Sequence, residues 1–149
     1  MQLNFPTYAI PTKTDAKGKI YIYDIIRKKH LVLTPEEWVR QHLVWFLIKA
    51  RNYPKSLIAL EMGLKVNGLA KRSDIVVYNK QGKPRLLVEC KAASIKISQD
   101  VFNQAARYNL TLKVPYLMVT NGLQHYCCKI DLAKKQVAYL PDIPYYHEL

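Results

Sequence analysis

Two carboxylates and one ammonium group fall inside segments that otherwise ask for burial. Asp74 lies in Ser73-Asp74-Ile75-Val76-Val77-Tyr78, and Glu89 and Lys91 lie in Arg85-Leu86-Leu87-Val88-Glu89-Cys90-Lys91. Both segments read as strands, apolar on both faces and so central in a sheet covered on two sides. Between them, Asn79-Lys80-Gln81-Gly82-Lys83-Pro84 is turn chemistry. A hairpin centred between Gln81 and Gly82 sets Asp74 directly opposite Glu89. Opposed residues on a hairpin have Cβ atoms roughly 4.5–5.5 Å apart, and two carboxylates that close in a partly buried sheet repel strongly. Protonating one acid relieves the repulsion. So does a divalent cation, since hard ions such as Mg²⁺ take oxygen ligands from carboxylates, water and substrate phosphate. Lys91, two residues beyond Glu89, shares its face; there it partly neutralises the pair and can stabilise charge developing on a phosphate. Cys90 points its side chain the other way, and its backbone carbonyl can complete the coordination. A metal held like this lowers the pKa of bound water and polarises a phosphodiester. The competing reading is a buried Asp–Lys–Glu ion network without metal.

The elements that position these groups are legible along the chain. Ile20–Tyr23 and Lys29–Leu33 read as short strands after an irregular lead-in over residues 1–19. Thr34-Pro35-Glu36-Glu37 is a helix start: Thr34 as N-cap, Pro35 at the first helical position, Glu37 completing a capping box. That helix runs to about Asn52 with Leu43, Val44, Phe46, Leu47 and Ile48 on its apolar face, and Pro54 stops it. Ser56 to Val66 reads as an extended strand, with Gly63 as a bulge or a bend. Ser98 caps a second helix reaching about Leu110, with Asp100 in its first turn. Strands follow at Tyr116–Thr120, Gln124–Ile130 and Gln136–Leu140, with Asn121-Gly122 as a hairpin signal. The tail, residues 141–149, is expected to be loose or to lie on the surface. This order of helix, three strands, helix and strands predicts an α/β fold with a central mixed sheet flanked by helices.

At 149 residues the chain is long enough for one domain with a real core, here read as spanning 1–149 with its core over 30–140. Half of its residues are hydrophobic, and the longest apolar stretch, Leu43 to Ile48, is far short of a membrane span. No secretory signal opens the sequence, so the expected compartment is the cytoplasm. Three cysteines, with Cys127 and Cys128 adjacent, make a poor disulfide framework, and no Cys/His spacing suggests zinc. The net charge of +12 favours a polyanionic partner. Lys71, Arg72 and Lys96 flank the acidic cluster and can contact phosphates without reading sequence. Arg27-Lys28-Lys29-His30 is a further basic run.

The Asp74…Glu89-Cys90-Lys91 pattern resembles the Asp…Glu-x-Lys signature of the PD-(D/E)xK nuclease superfamily. The element order resembles that fold's α-β-β-β-α-β, restriction-endonuclease-like core. Gln104-Ala105-Ala106-Arg107-Tyr108 resembles the Gln-x-x-x-Tyr motif of the RecB-like branch. The stretch from Thr34-Pro35-Glu36-Glu37-Trp38 through Asn121-Gly122 is similar to the N-terminal nuclease domain of type I restriction enzyme R subunits, in a short bacterial version. The resemblance covers roughly residues 30–140. It implies a Mg²⁺-dependent deoxyribonuclease, with Mn²⁺ able to substitute. Asp74, Glu89 and the Cys90 carbonyl would hold the metal, Lys91 would be the catalytic lysine, and Gln104 and Tyr108 would line the cleft. Many members use a further acid on the first helix; Glu37 is the candidate and Glu36 the alternate. The chain has no room for a motor domain, which sets it apart from full R subunits. DNA is the expected substrate, with a homodimer or separate restriction or repair proteins as partners. Two other readings compete: a binding module that keeps the fold without activity, and a protein-interaction domain with an incidental basic surface.

Overall fold

The computed structural model describes residues 1–66 and 69–149, with backbone alone over 62–66 and 69–72. A small antiparallel sheet comes first, from β1 (Thr12–Thr14), β2 (Ile20–Asp24) and β3 (Lys29–Val32). The first long helix, α1 (Pro35–Arg51), starts where Thr34 Oγ1 accepts the Glu37 N–H at 3.0 Å. The expected capping box forms only in this half. The Glu37 carboxylate turns to Arg40 and Gln41, at 2.8 and 3.0 Å, because a buried guanidinium outbids a backbone N–H for its charge. Asn52, in the left-handed region, ends the helix, and the following Tyr53 N–H donates to the Leu47 carbonyl at 3.0 Å.

The main sheet has six strands in the order of the chain: β4 (Ile58–Val66), β5 (Leu69–Tyr78), β6 (Pro84–Cys90), β7 (Tyr116–Thr120), β8 (His125–Asp131) and β9 (Gln136–Leu140). Among the described residues only the β6–β7 pair is parallel, because the second helix, α2 (Gln99–Leu112), crosses between them. The sheet is therefore mixed, as the sequence predicts. Alternation along β5 and β6 feeds two separate cores. Ile75, Val77, Leu86, Val88 and Cys90 pack with α1 through Val39, Leu43 and Leu47. Val76 and Leu87 pack on the opposite face with Phe102, Ala105 and Ala106 of α2. The adjacent Cys127 and Cys128 divide between these two cores.

Both ends of the chain differ from expectation. Leu3 and Phe5 are buried against α1, and Ile143 is buried in the same core. Tyr53 donates its hydroxyl to the Pro144 carbonyl at 2.9 Å, and Arg51 Nε donates to the Ile143 carbonyl at 2.8 Å. A few apolar side chains suffice to dock an irregular segment, and they leave no periodicity in the sequence to announce it.

Candidate active site

The hairpin of β5 and β6 keeps the anticipated register at Ile75↔Val88, Val76↔Leu87 and Val77↔Leu86. It slips only at the turn, where a bulge between Val77 and Tyr78 aligns Tyr78 with Pro84. At the other end the backbone ladder stops at Ile75↔Val88, so the next residues in register are Asp74 and Glu89. Both strands continue, but each with its outer neighbour: Ser73 pairs with Met62 of β4, and Glu89 and Cys90 pair with Val119 and Thr120 of β7. The sheet thus opens along its central seam at the two acids. Asp74 spans the opening with its side chain, Oδ2 accepting the Cys90 N–H at 2.7 Å. Lys91, half-buried, is fixed by its own N–H donating to the Thr120 carbonyl at 2.8 Å.

A residue that sequence reasoning passed over sits at the centre. Arg40, on α1 and almost fully buried, donates from Nη1 to Glu37 and Glu61 at 2.8 and 2.9 Å, and from Nη2 to Glu36 and Asp74 at 3.0 and 3.1 Å. Arg27 adds a second cation, bonding Asp24 at 2.6 Å and Glu61 at 3.2 Å. Burial works against the Arg40 charge, yet the carboxylates of Glu37, Asp74 and Glu61 outweigh it and raise its pKa. Burial and the neighbouring Asp74 push the Glu36 carboxyl up, against the pull of Arg40 and Lys91. Burial, then Asp74, raises the Cys90 thiol well above its usual value, so it stays neutral. Glu61 could have been found by the signal that marked Asp74 and Glu89, a lone acid in an apolar stretch. Arg40 carries only its spacing from Glu36 and Glu37, one helical turn away.

A cleft of about 500 Å³ opens beside this network, lined by Thr34, Glu36, Glu37, Arg40, Glu61 and Ala92 among others. Of the two first-helix candidates, Glu36 is the one partly open to solvent, whereas Glu37 is buried and committed to Arg40 and Gln41. Alternation puts Glu89 on the α2 side of β6. Gln104 and Tyr108 lie one turn apart on an exposed stretch of α2, and Lys96 is exposed in the loop leading to it. The side chain of Arg72 lies outside the described residues. Among the described residues, no group of three or more His, Cys, Asp and Glu side chains is arranged to hold a metal ion. Both oxygens of the Asp74 carboxylate are engaged, Oδ1 by Arg40 at 3.1 Å and Oδ2 by the Cys90 N–H at 2.7 Å.

A mixed sheet flanked by helices, split at a central acidic pair, defines a restriction-endonuclease-like α/β domain. Residues 35–144 match the family described as the type I restriction enzyme R protein N terminus, and the chain belongs to that family. Among solved structures, it is similar to a fragment assigned to an HsdR subunit of a type I restriction enzyme from Vibrio vulnificus YJ016, with 21% identity and a TM-score of 0.54. That match covers 78% of this chain and 24% of the other, so the likeness is one of fold over about a quarter of the larger protein. No curated protein matches the sequence. No helix among the described residues is long and apolar enough to cross a membrane.

Proposed function

We propose that this domain is a Mg²⁺-dependent nuclease that hydrolyses phosphodiester bonds in DNA. The observation that carries this reading is the opening of the sheet between β5 and β6 at Asp74 and Glu89, with Lys91 next along the strand. The network draws together Asp24, Glu36, Glu37, Glu61 and Asp74, five of the 11 acidic residues in a chain of net charge +12, and Glu89 follows in register from Asp74 across the seam. Negative charge this concentrated in a basic protein favours a bound cation beside a bound polyanion. Asp74, Glu89 and the Cys90 carbonyl would hold the ion, which would polarise the phosphodiester and lower the pKa of an attacking water.

The chain's own groups divide the remaining work. Lys91 sets a positive charge where a phosphate gains negative charge. Arg40 holds Asp74 and Glu36 in place and keeps their repulsion in check. Glu36, rather than Glu37, is the first-helix acid placed to accept a proton or a water at the cleft. Gln104, Tyr108, Lys96 and Arg72 bind the strand. DNA is the substrate in this reading, the setting is the cytoplasm, and targeting comes from restriction or repair partners or from a second copy of the chain.

A second reading has one observation in its favour. Arg40 already neutralises Asp74 and Glu36 without a metal, as a nucleic-acid-binding module that had given up catalysis would require. A cleavage panel decides between them: duplex, single-stranded and branched DNA with Mg²⁺ or Mn²⁺, for wild type and the Asp74→Ala, Glu89→Ala and Lys91→Ala variants. The nuclease reading expects metal-dependent cleavage that all three substitutions abolish. Tight binding with no turnover on any substrate favours the module.

A further inference from the structure

A second concave feature lies at the start of α2, on the face of the sheet to which Glu89 belongs. Tyr139 of β9 is 57% exposed and Tyr126 of β8 is 36% exposed, although the neighbouring core closes without either ring. Phe102, itself buried, supports both: its ring stacks on Tyr139 at 5.2 Å and 29°, and meets Tyr126 edge-on at 6.5 Å and 66°. With Ile97, Ser98 and Gln99 these rings enclose a groove of about 210 Å³. Gln99 Nε2 donates to Asn103 at 2.9 Å and lies 3.4 Å from the Tyr139 hydroxyl, so the exposed ring is held rather than free to swing.

The register ties this groove to the acids. Glu89 pairs with Val119, and Val119 pairs with Tyr126, so the three form one row across β6, β7 and β8. Two strand spacings of about 4.8 Å separate the ends of that row, short enough for one nucleic-acid strand to touch both. Lys96, exposed in the loop between Lys91 and α2, places a further positive charge on this part of the surface. Asp100, exposed in the first turn of α2, does not line the groove.

We propose that the Tyr126–Tyr139–Phe102 groove is a stacking subsite for an unpaired base of the strand whose phosphate sits at Lys91. The favoured substrate then carries a single-stranded segment next to the cleavage point. A base inside a duplex is already stacked and offers no free face to a shelf, whereas aromatic shelves grip unpaired bases of any sequence. This inference rests on the nuclease reading above for the position of the strand.

The test is fluorescence anisotropy with a labelled single-stranded oligonucleotide and its duplex, with Ca²⁺ replacing Mg²⁺ to prevent turnover. Tyr139→Ala, a change at an exposed ring, is expected to weaken single-strand binding about tenfold more than duplex binding, and Tyr139→Phe to restore it. Equal losses on both forms, or none, overturn the subsite. So does a loss that Tyr139→Phe fails to rescue, or competition by an aromatic peptide but not by nucleosides, which marks the groove as a protein contact. Lys91-dependent cleavage by the same preparations reads the nuclease proposal separately. If Tyr139→Ala has no effect while that cleavage is intact, the subsite alone fails. If cleavage never occurs, the placement of the strand fails with it.

Discussion

Arg40 is the side chain on which the electrostatics of the site turn. Its guanidinium touches four carboxylates while 5% exposed, and Glu37 beside it is 9% exposed. Removing one partner from a buried ion pair leaves the other charge desolvated and uncompensated, which typically costs about 3–5 kcal/mol. Arg40→Ala is therefore expected to lower unfolding stability by about 3 kcal/mol in urea titration, and a change below measurement error would show that the network is not coupled to the fold. The two first-helix acids separate in the same way. Glu37→Gln is expected to lower stability, because Glu37 is buried between Arg40 and Gln41. Glu36→Gln is expected to lower cleavage rate with little effect on melting, because Glu36 faces the cleft. The opposite pattern would return the catalytic assignment to Glu37.

At the level of the elements, the hairpin was readable because its turn chemistry and its β-branched strands are local signals. The register followed from the turn, and it holds until the bulge that Pro84 accompanies. Helix α1 was readable from Thr34 and Pro35, but the fate of the Glu37 carboxylate was not, since it depends on an arginine folded back from the next turn. The docking of the ends was also hidden: Leu3, Phe5 and Ile143 are isolated apolar residues with no period to reveal a buried face. The turn after β7 shows how tightly the lead-in is fixed. Gly122 has φ +84°, and a Cβ there would lie 2.8 Å from Leu3 Cδ2 and 3.2 Å from Val39 Cγ2. Its N–H also donates to Thr120 Oγ1 at 2.9 Å. Gly122→Ala is expected to cost about 1–2 kcal/mol from the left-handed backbone alone, measurable as a fall in the urea midpoint. An unchanged midpoint would mean that Gly122 does not hold the left-handed conformation.

For the molecule as a whole, charge, the buried His42 and the half-buried His125 set the response to solution conditions. Burial lowers the pKa of His42 and of His125 below 6.5. The His125 ring lies between the Thr120 hydroxyl at 2.8 Å and the Asn4 carbonyl at 3.2 Å, stacked on Phe5. The unfolded chain protonates these rings first, so their contribution to stability is complete above about pH 6.5 and is lost as the pH falls toward the folded values. Glu36, with its pKa raised from 4.5, acts in the opposite sense over its own range. The melting temperature is expected to drop on acidification through this window, and less so in His125→Gln; identical pH profiles would remove His125 from the account. The basic surface predicts DNA affinity that falls steeply with salt, as phosphate contacts release counterions. The most direct test of the central claim is anomalous diffraction from a crystal soaked in Mn²⁺. One manganese peak bounded by the Asp74 and Glu89 carboxylates and the Cys90 carbonyl, and lost in Asp74→Ala, is the expected result. An empty seam with Arg40 still clasping Asp74, or a peak that survives the substitution, would contradict it.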